Sequence, residues 1–176
     1  MTPLHNANDA WHSRVAVIIP ALNEEGSLPT VLDELPPVRV VVVDNGSEDR
    51  TSQVAAAHGA QVLFEPRRGY GTAVLTGMAH LRADPPEVLV ILDADHADDP
   101  RRLFDLVRPV LEGRADLVQI DRSLTAEPGA LTRVQRFGNG LATFLIAQVT
   151  GRVYRDMGPF RAIRWSSLQA LAMEDP

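Results

Sequence analysis

The chain has 176 residues, of which 45% are hydrophobic and 23% charged, a composition that fits one globular domain and excludes a disordered or fibrous protein. A formal net charge of −6 argues against a nucleic-acid binder, which needs a basic face to neutralise phosphates. Cys is absent, which excludes disulfides, thiolate nucleophiles and zinc–thiolate sites and makes a reducing, cytoplasmic setting the expectation.

From Met1 to Arg14 the chain is polar, without the apolar core of a leader, and no run of about 18 apolar residues follows anywhere. Any membrane contact is therefore expected to be peripheral. "VAVIIP" (15–20), "VRVVVVD" (38–44) and "VLVILD" (88–93) are β-branched runs that end on turn or acidic residues, the pattern of strands buried on both faces of a parallel sheet. "QVLFE" (61–65) and "ADLVQI" (115–120) predict two further strands. The segments between them have helical spacing. "EEGSLPTVLDEL" puts Leu28, Val31, Leu32 and Leu35 on one face, with Gly26 and Pro29 confining the helix to its later part or placing Pro29 in the first turn. "SEDRTSQVAAAHG" offers Ser47 as N-cap and closes on Gly59. "GYGTAVLTGMAHLRA" turns Val74, Leu75, Met78 and Leu81 inward. "DPRRLFDLVRPVLEG" starts with Asp99 as cap and Pro100 at the first helical position, and ends on Gly113.

That alternation predicts an α/β three-layer sandwich around a mostly parallel sheet with right-handed crossovers. After Ile120 the rhythm breaks. "DRSLTAEPGA" reads as a loop and "LTRVQRFGNGLATFLIAQVTG" as a long helix interrupted near Gly138. "FRAIRW" reads as a short strand and "SSLQALAM" as a last helix. The apolar run at 141–149 suits a core element first, and also a dimer face or a membrane-surface contact, so a homodimer stays open.

In open parallel sheets ligands gather at the carboxyl ends of the strands. Three acidic edges fall there: Pro20, Ala21, Asn23, Glu24 and Glu25 after the first strand, Asp44, Asn45, Gly46 and Ser47 after the second, and Asp93, Ala94 and Asp95 after the fourth. Asp93 and Asp95, two apart at a strand end, can both reach a hard divalent cation that prefers oxygen ligands and relieves their repulsion, and such a cation would hold a diphosphate. Asp98 and Asp99 are read as caps of the next helix. Asp44 is either an acceptor for the ring N–H of uracil or guanine or the start of an Asx turn. Gly69 and Gly71 in "RRGYGTA" mark either a close approach to a ligand or an ordinary strand-to-helix turn. Between Asp121 and Arg164 seven Arg stand against three acids, a local charge of +4 that suits an anion. All 17 basic residues of the chain are Arg, so their position and not their identity carries the argument.

Taken together, "VIIPALNEEGSL", "VVVDNGSEDRT", "RRGYGTAV" and "ILDADHADDP", in this order, resemble family-2 glycosyltransferases of the GT-A fold over residues 15–113. The tail "DRSL…RFGN…DMGPFRAIRWSSLQAL" is similar to the bacterial branch of dolichol- and polyprenyl-phosphate sugar synthases. The resemblance implies one glycosyltransferase domain over 1–176, with a nucleotide-sugar-binding part at 15–120 and an acceptor part at 121–176. It implies a metal-dependent, usually inverting transfer of a sugar from a nucleoside-diphosphate sugar to an acceptor, here a polyprenyl phosphate at the membrane surface, with Mg²⁺ or Mn²⁺ as cofactor. Pro20, Ala21, Glu24, Asp44, Gly69, Gly71 and Asp93 would hold the nucleotide sugar, and Asp93 and Asp95 the metal. Arg122, Arg133 and Arg136 would grip the acceptor phosphate. Asp156 and Arg122 are the candidate catalytic residues. A phosphate acceptor is already an anion and needs no strong base, whereas for a hydroxyl acceptor Asp156 is the candidate base, unless it only pairs with Arg155 or Arg161.

Two departures go with this. The related pattern often has Gln two places after the second Asp, where this chain has Ala97, so that contact is missing or passes to His96 or Asp98. Against the related enzymes the chain stops early, at Pro176, which makes a nucleotide-sugar-binding module without transferase activity the alternative. A nucleotidyltransferase is disfavoured because "PALNEE" stands where its Gly-rich phosphate loop would be. A haloacid-dehalogenase phosphatase is disfavoured because its Asp-x-Asp would follow the first strand.

Overall fold

The structure, a computed structural model, describes residues 11–120 and 158–170. The chain divides into two compact units, Met1–Val118 with Phe160–Pro176, and Gln119–Pro159, the second almost wholly outside the described residues. In the described part the strands are β1 (Val15–Ala21), β2 (Arg39–Asp44), β3 (Gln61–Phe64), β4 (Val88–Ile91), β5 (Leu117–Gln119) and β6 (Arg161–Arg164). Between and after them lie α1 (Leu28–Glu34), α2 (Thr51–Ala57), α3 (Tyr70–Leu81), α4 (Leu103–Leu111) and α5 (Trp165–Ala170). They form one six-stranded sheet in the order β3-β2-β1-β4-β6-β5.

β1 runs parallel to both β2 and β4, with Ile18 opposite Val41 on one side and Ile91 on the other. β2 and β3 are also parallel, and β6 lies antiparallel to β4. The sheet is thus mixed and mostly parallel, as the apolar runs predict. One arrangement is not legible in the strand sequences: β6, which comes 41 residues after Ile120 in the chain, inserts between β4 and β5 and separates two strands that are consecutive in sequence. Residues 161–170, taken from the sequence as the end of an acceptor part, belong by packing to the first unit.

Side chains alternate across a strand, so every buried strand feeds two cores. On one face Ala16, Ile18, Val41, Val43, Leu89 and Ile91 pack with Ala73, Val74, Met78 and Leu81 of α3 and with Trp165 and Leu168 of α5. The opposite alternation sends Val17, Ile19, Val42 and Val90, all fully buried, toward the side covered by α1, α2 and α4, whose Leu28, Val31, Ala55, Leu103 and Val107 are equally buried. Helices on both faces of a sheet give the expected three layers.

Two helix starts show how local signals are used. Asp99 caps as read: its side chain accepts from the Arg101 N–H at 3.1 Å, Pro100 opens a single 3-10 turn, and α4 follows. Ser47 does not cap α2, which begins at Thr51. Its hydroxyl instead accepts the backbone N–H of Asn23 at 3.0 Å, and Asp49 accepts the Thr51 N–H at 2.9 Å. α3 lies unusually close to β1 at Gly77, where a Cβ would stand 2.8 Å from Ile18 Cδ1. Replacing Gly77 by Ala must push α3 off the sheet or twist Ile18 out of its rotamer, at a cost of about 1–3 kcal/mol. The expected result is a lower urea midpoint for Gly77→Ala with an unchanged denaturant slope, measured by equilibrium unfolding.

Candidate functional site

The first residues beyond β2, β3 and β4 are each tied to the neighbouring strand. Asn45 N–H donates to Ala21 O at 2.9 Å, Leu92 N–H to Ile18 O at 3.1 Å and Glu65 N–H to Asp44 O at 2.9 Å. These bonds carry the ladder past the strand ends and set where each loop starts. The loops then enclose a cleft of about 330 Å³, lined among others by Pro20, Ala21, Glu24, Gly69, Asp93 and Asp95. Six of the residues expected in the nucleotide-sugar and metal sites therefore come together at the carboxyl edge of the sheet.

The loops after β1 and β2 brace each other. Glu24 N–H donates to Thr51 Oγ1 at 2.8 Å, Glu25 N–H to Asp49 Oδ2 at 3.1 Å, and Glu48 N–H to Asn23 Oδ1 at 2.8 Å. Asn23 adopts a positive φ of 59°, which Asn tolerates better than most residues. A third loop hangs on Asn45, whose side chain is the centre of the region. Its Nδ2 donates to the carbonyls of Glu65 at 2.9 Å and Arg67 at 2.8 Å, and its Oδ1 accepts the Gly69 N–H at 2.7 Å. Asn45 and Arg68 both line the cleft and neither stands out in the sequence as a site residue. For Asn45 the signal was its place directly after a strand end; the side-chain bonds it makes are to residues 20 to 24 positions away.

Asp44 and Gly71 are placed differently from the expected lining. Asp44 is 4% exposed, and its carboxylate accepts from the Ser47 N–H at 2.8 Å and from the Ser52 hydroxyl, the Asx turn that was the alternative. Burial raises the Asp44 pKa, but the hydrogen bonds from Ser52, Ser47 and Gly46 outweigh it and leave the group below its usual range. Gly71 sits in α3, where an added Cβ would meet nothing within 4 Å, so no close approach demands it. Gly69 is demanded by its backbone: φ is +152° and a Cβ would stand 3.2 Å from Thr72 Oγ1.

The four carboxylates after β4 have separate surroundings. Asp95 is exposed, and its Oδ1 accepts the Ala97 N–H at 3.0 Å. Asp98 is buried at 7% exposure and does not line the cleft. Asp99 pairs with Arg101 at 2.8 Å. Asp93 lines the cleft together with Tyr70, whose phenol hydroxyl has Asp93 and Arg161 as its charged neighbours. Loss of water around that hydroxyl pushes the Tyr70 pKa well above the ordinary tyrosine range, with Asp93 adding to the shift and Arg161 opposing it. The residue as a whole keeps 44% of its surface exposed. His96, considered as a substitute for the missing Gln, is turned instead toward α1, with Nε2 2.9 Å from Glu34 Oε2 and a positive φ of 60°.

Among the described residues no group of three or more His, Cys, Asp or Glu is arranged to hold a metal. Asp93 and Asp95 offer two hard carboxylates on one cleft, which suits a cation that takes its remaining ligands from substrate phosphate and water, as Mg²⁺ does. Arg122, Arg133, Arg136 and Asp156, expected to hold the acceptor or act in catalysis, lie outside the described residues, as do the helix over 131–151 and its apolar run. No helix among the described residues is long and apolar enough to cross a membrane.

A comparison with protein-family models matches residues 16–171 to glycosyl transferase family 2. The chain belongs to that family. An uncharacterized glycosyltransferase of Mycobacterium tuberculosis is 40% identical over 162 residues, covering 92% of this chain and 72% of that protein. An undecaprenyl-phosphate 4-deoxy-4-formamido-L-arabinose transferase of Shewanella sediminis is 27% identical, covering 95% of this chain and 52% of its own. Among solved structures, glucosyl-3-phosphoglycerate synthase from M. tuberculosis, in complex with Mn²⁺, UDP-glucose and phosphoglyceric acid, superposes with a TM-score of 0.69 at 28% identity, covering 89% of this chain and 58% of that one. This family-2 chain therefore has the GT-A-like α/β fold expected of it, and spans between about half and three quarters of the length of these relatives.

The acid response of this family-2 domain follows from its site. Asp44 and Glu65 both have lowered pKa values, Glu65 chiefly through the Thr76 hydroxyl at 2.6 Å and then the Arg67 N–H at 2.9 Å. A carboxylate depressed in the folded state stabilises it above the unfolded pKa and loses that contribution as pH falls through the folded value. Against reference values of 3.8 and 4.5, the melting temperature should hold steady above about pH 5 and fall below about pH 4. Asp44→Asn should reduce that acid slope; an identical slope in the variant would mean that Asp44 does not contribute to it.

Proposed function

We propose that this chain is a metal-dependent inverting glycosyltransferase that moves a sugar from a nucleoside-diphosphate sugar to a phosphate-bearing acceptor, a polyprenyl phosphate. The observation that carries the reading is the placement of Asp93 and Asp95 on one cleft with the Pro20–Ala21 edge and the Arg68–Gly69 turn. An acidic pair alone would repel a diphosphate; beside a nucleotide-sized cavity it calls for a cation. Mg²⁺ or Mn²⁺ held by Asp93 and Asp95 would neutralise the charge that develops on the departing diphosphate.

The chain's own groups do the rest. Pro20, Ala21 and Glu24 form the wall from which the nucleoside is held, while Asp44 fixes the turn after β2 by accepting the Ser47 N–H. Arg68 adds a positive charge at the mouth, its side chain 63% exposed and only 3.7 Å from Glu48, so a phosphate can compete for it. An acceptor phosphate oxygen attacks the anomeric carbon, the carbon–oxygen bond to the diphosphate breaks, and the electron pair leaves with the nucleoside diphosphate. Arg122, Arg133 and Arg136 bring the anionic acceptor in line, and no proton has to be removed from it. The Mn²⁺ and UDP-glucose in the synthase structure, and the undecaprenyl phosphate in the Shewanella relative's name, support the metal, the donor class and the acceptor class respectively.

The test is a thermal-shift titration with UDP, GDP, CDP and dTDP, each with and without Mn²⁺. A ligand at a hundredfold excess over its Kd adds about 2.7 kcal/mol to the folded state, a rise of several degrees. One nucleotide should give such a shift only with Mn²⁺, and Asp95→Ala should abolish it; a labelled donor should then pass its sugar to a polyprenyl phosphate. No shift with any nucleotide sinks the reading. Binding without transfer to any acceptor selects a nucleotide-sugar-binding module instead.

A further inference from the structure

Asn45 lines the cleft, yet its side chain has no hydrogen left to offer a substrate. The residue is 6% exposed, and both hydrogens of its amide are occupied by backbone carbonyls, of Glu65 at 2.9 Å and of Arg67 at 2.8 Å, while Oδ1 accepts the Gly69 N–H at 2.7 Å. Two carbonyls need donors and one N–H needs an acceptor, so the amide fits in one orientation only. Asp at this position would lack both donors, and Ala would leave three backbone groups without these partners.

What the amide holds is the backbone on either side of Arg68. The Arg67 carbonyl belongs to the peptide group that enters Arg68, and the Gly69 N–H to the one that leaves it. Each peptide group is a rigid plane, so holding both sets the φ and ψ of Arg68 and the direction in which its side chain departs. A second anchor supports the same turn: the buried Glu65 carboxylate accepts from the Thr76 hydroxyl of α3 at 2.6 Å and from the Arg67 N–H at 2.9 Å. The Arg68 guanidinium, by contrast, is loosely kept. Its Nη2 reaches the Gly46 carbonyl at 3.5 Å and the exposed Glu48 carboxylate at 3.7 Å, contacts that water screens and a phosphate can replace. A fixed backbone with a weakly engaged charged tip is what a preorganised anion contact requires.

We infer that Asn45 is a positioning residue that acts through Arg68: by clamping the two peptide groups around it, the Asn45 amide keeps the Arg68 guanidinium at the mouth of the cleft for the diphosphate of the donor. This rests on the functional reading above and gives a role to a residue that lines the site with its donors already engaged. Asn45 needs no contact with the nucleotide for this. Its work is done before the ligand arrives, because a turn already held in place spares the ligand the cost of ordering it.

The experiment is isothermal titration calorimetry of UDP, GDP, CDP and dTDP, each with Mn²⁺, on the full chain, and then of the diphosphate that binds on Arg68→Met, Asn45→Ala, Asn45→Ser and the double variant of Asn45→Ala with Arg68→Met. Thermal melts check that each folds, and amide exchange followed by nuclear magnetic resonance reads the clamp directly. Arg68→Met should weaken binding by about tenfold or more, the loss of one charge-assisted hydrogen bond. Asn45→Ala should weaken it by about two- to tenfold, the cost of ordering a released side chain, and Asn45→Ser, which keeps a hydroxyl, by less. The double variant should bind no more weakly than Arg68→Met alone, because the clamp has lost the group it works through. The Gly69 amide should exchange faster in both Asn45 variants, while the Glu65 and Leu92 amides, bonded to Asp44 and Ile18, stay protected. Full affinity or an unchanged Gly69 exchange rate in folded Asn45→Ala, or full affinity in Arg68→Met, overturns the inference and leaves the functional reading standing. Effects that add in the double variant overturn it too, since the amide would then act by another route. If neither Asn45 variant folds, the amide holds the domain and not the turn, and the inference falls. No binding of any of the four diphosphates overturns the functional reading and this inference with it.

Discussion

β1 is the constraint on which the rest depends. Val15 to Ile19 are each 1% exposed or less, and the strand has parallel neighbours on both sides. In a dry interior its backbone N–H and C=O groups have nowhere to go but β2 and β4, so both are held in register along its length. Because all three run the same way, they leave the sheet at one edge, Leu22 level with Asn45 and, three residues earlier along β1, Leu92 level with Ile19. Gly77 completes the arrangement by letting α3 lie directly on Ile18. The cleft is the result of that packing, and its loops need only close the sides.

Four carboxylates in seven positions after β4 would be a liability if they shared one environment. They do not. Asp99 caps a helix and pairs with Arg101, Asp98 is buried, Asp95 turns its own loop through the Ala97 N–H, and Asp93 faces the cleft beside Tyr70. Arg101 further reaches Glu34 at 3.9 Å, and His96 meets the same carboxylate from the other side of the loop. Like charges close in sequence are thus drawn toward different partners, and only Asp93 and Asp95 remain on the cleft. The left-handed backbone at Asn23 and His96, costing on the order of 1 kcal/mol each, falls in the two loops that flank it, and in both cases the side chain bonds to another element in return.

Much of this was legible from the residues alone. Continuous apolar runs ending on turn or acidic residues located β1, β2 and β4 to within two residues, and Asp99-Pro100 located the start of α4, because burial and capping are local demands that specific residue types meet. The misreadings share a cause. Ser47 is a good cap by composition, yet its hydroxyl is taken by Asn23, 24 residues earlier, so the helix waits until Thr51. His96 stands where a ligand would be useful, yet Glu34, 62 residues away, claims it.

The sequence by itself determined the alternation of strand and helix, the family pattern, and the identity of the acidic pair, since periodicity and strand-end chemistry are written in consecutive residues. Tertiary structure alone decided that β6 enters between β4 and β5, that Asn45 carries the Glu65–Gly69 turn, and that Arg161 is brought opposite Ile91 at the carboxyl end of β4. Strand order and long-range hydrogen bonds depend on which surfaces the folded chain brings together, and no local run of residues encodes that meeting.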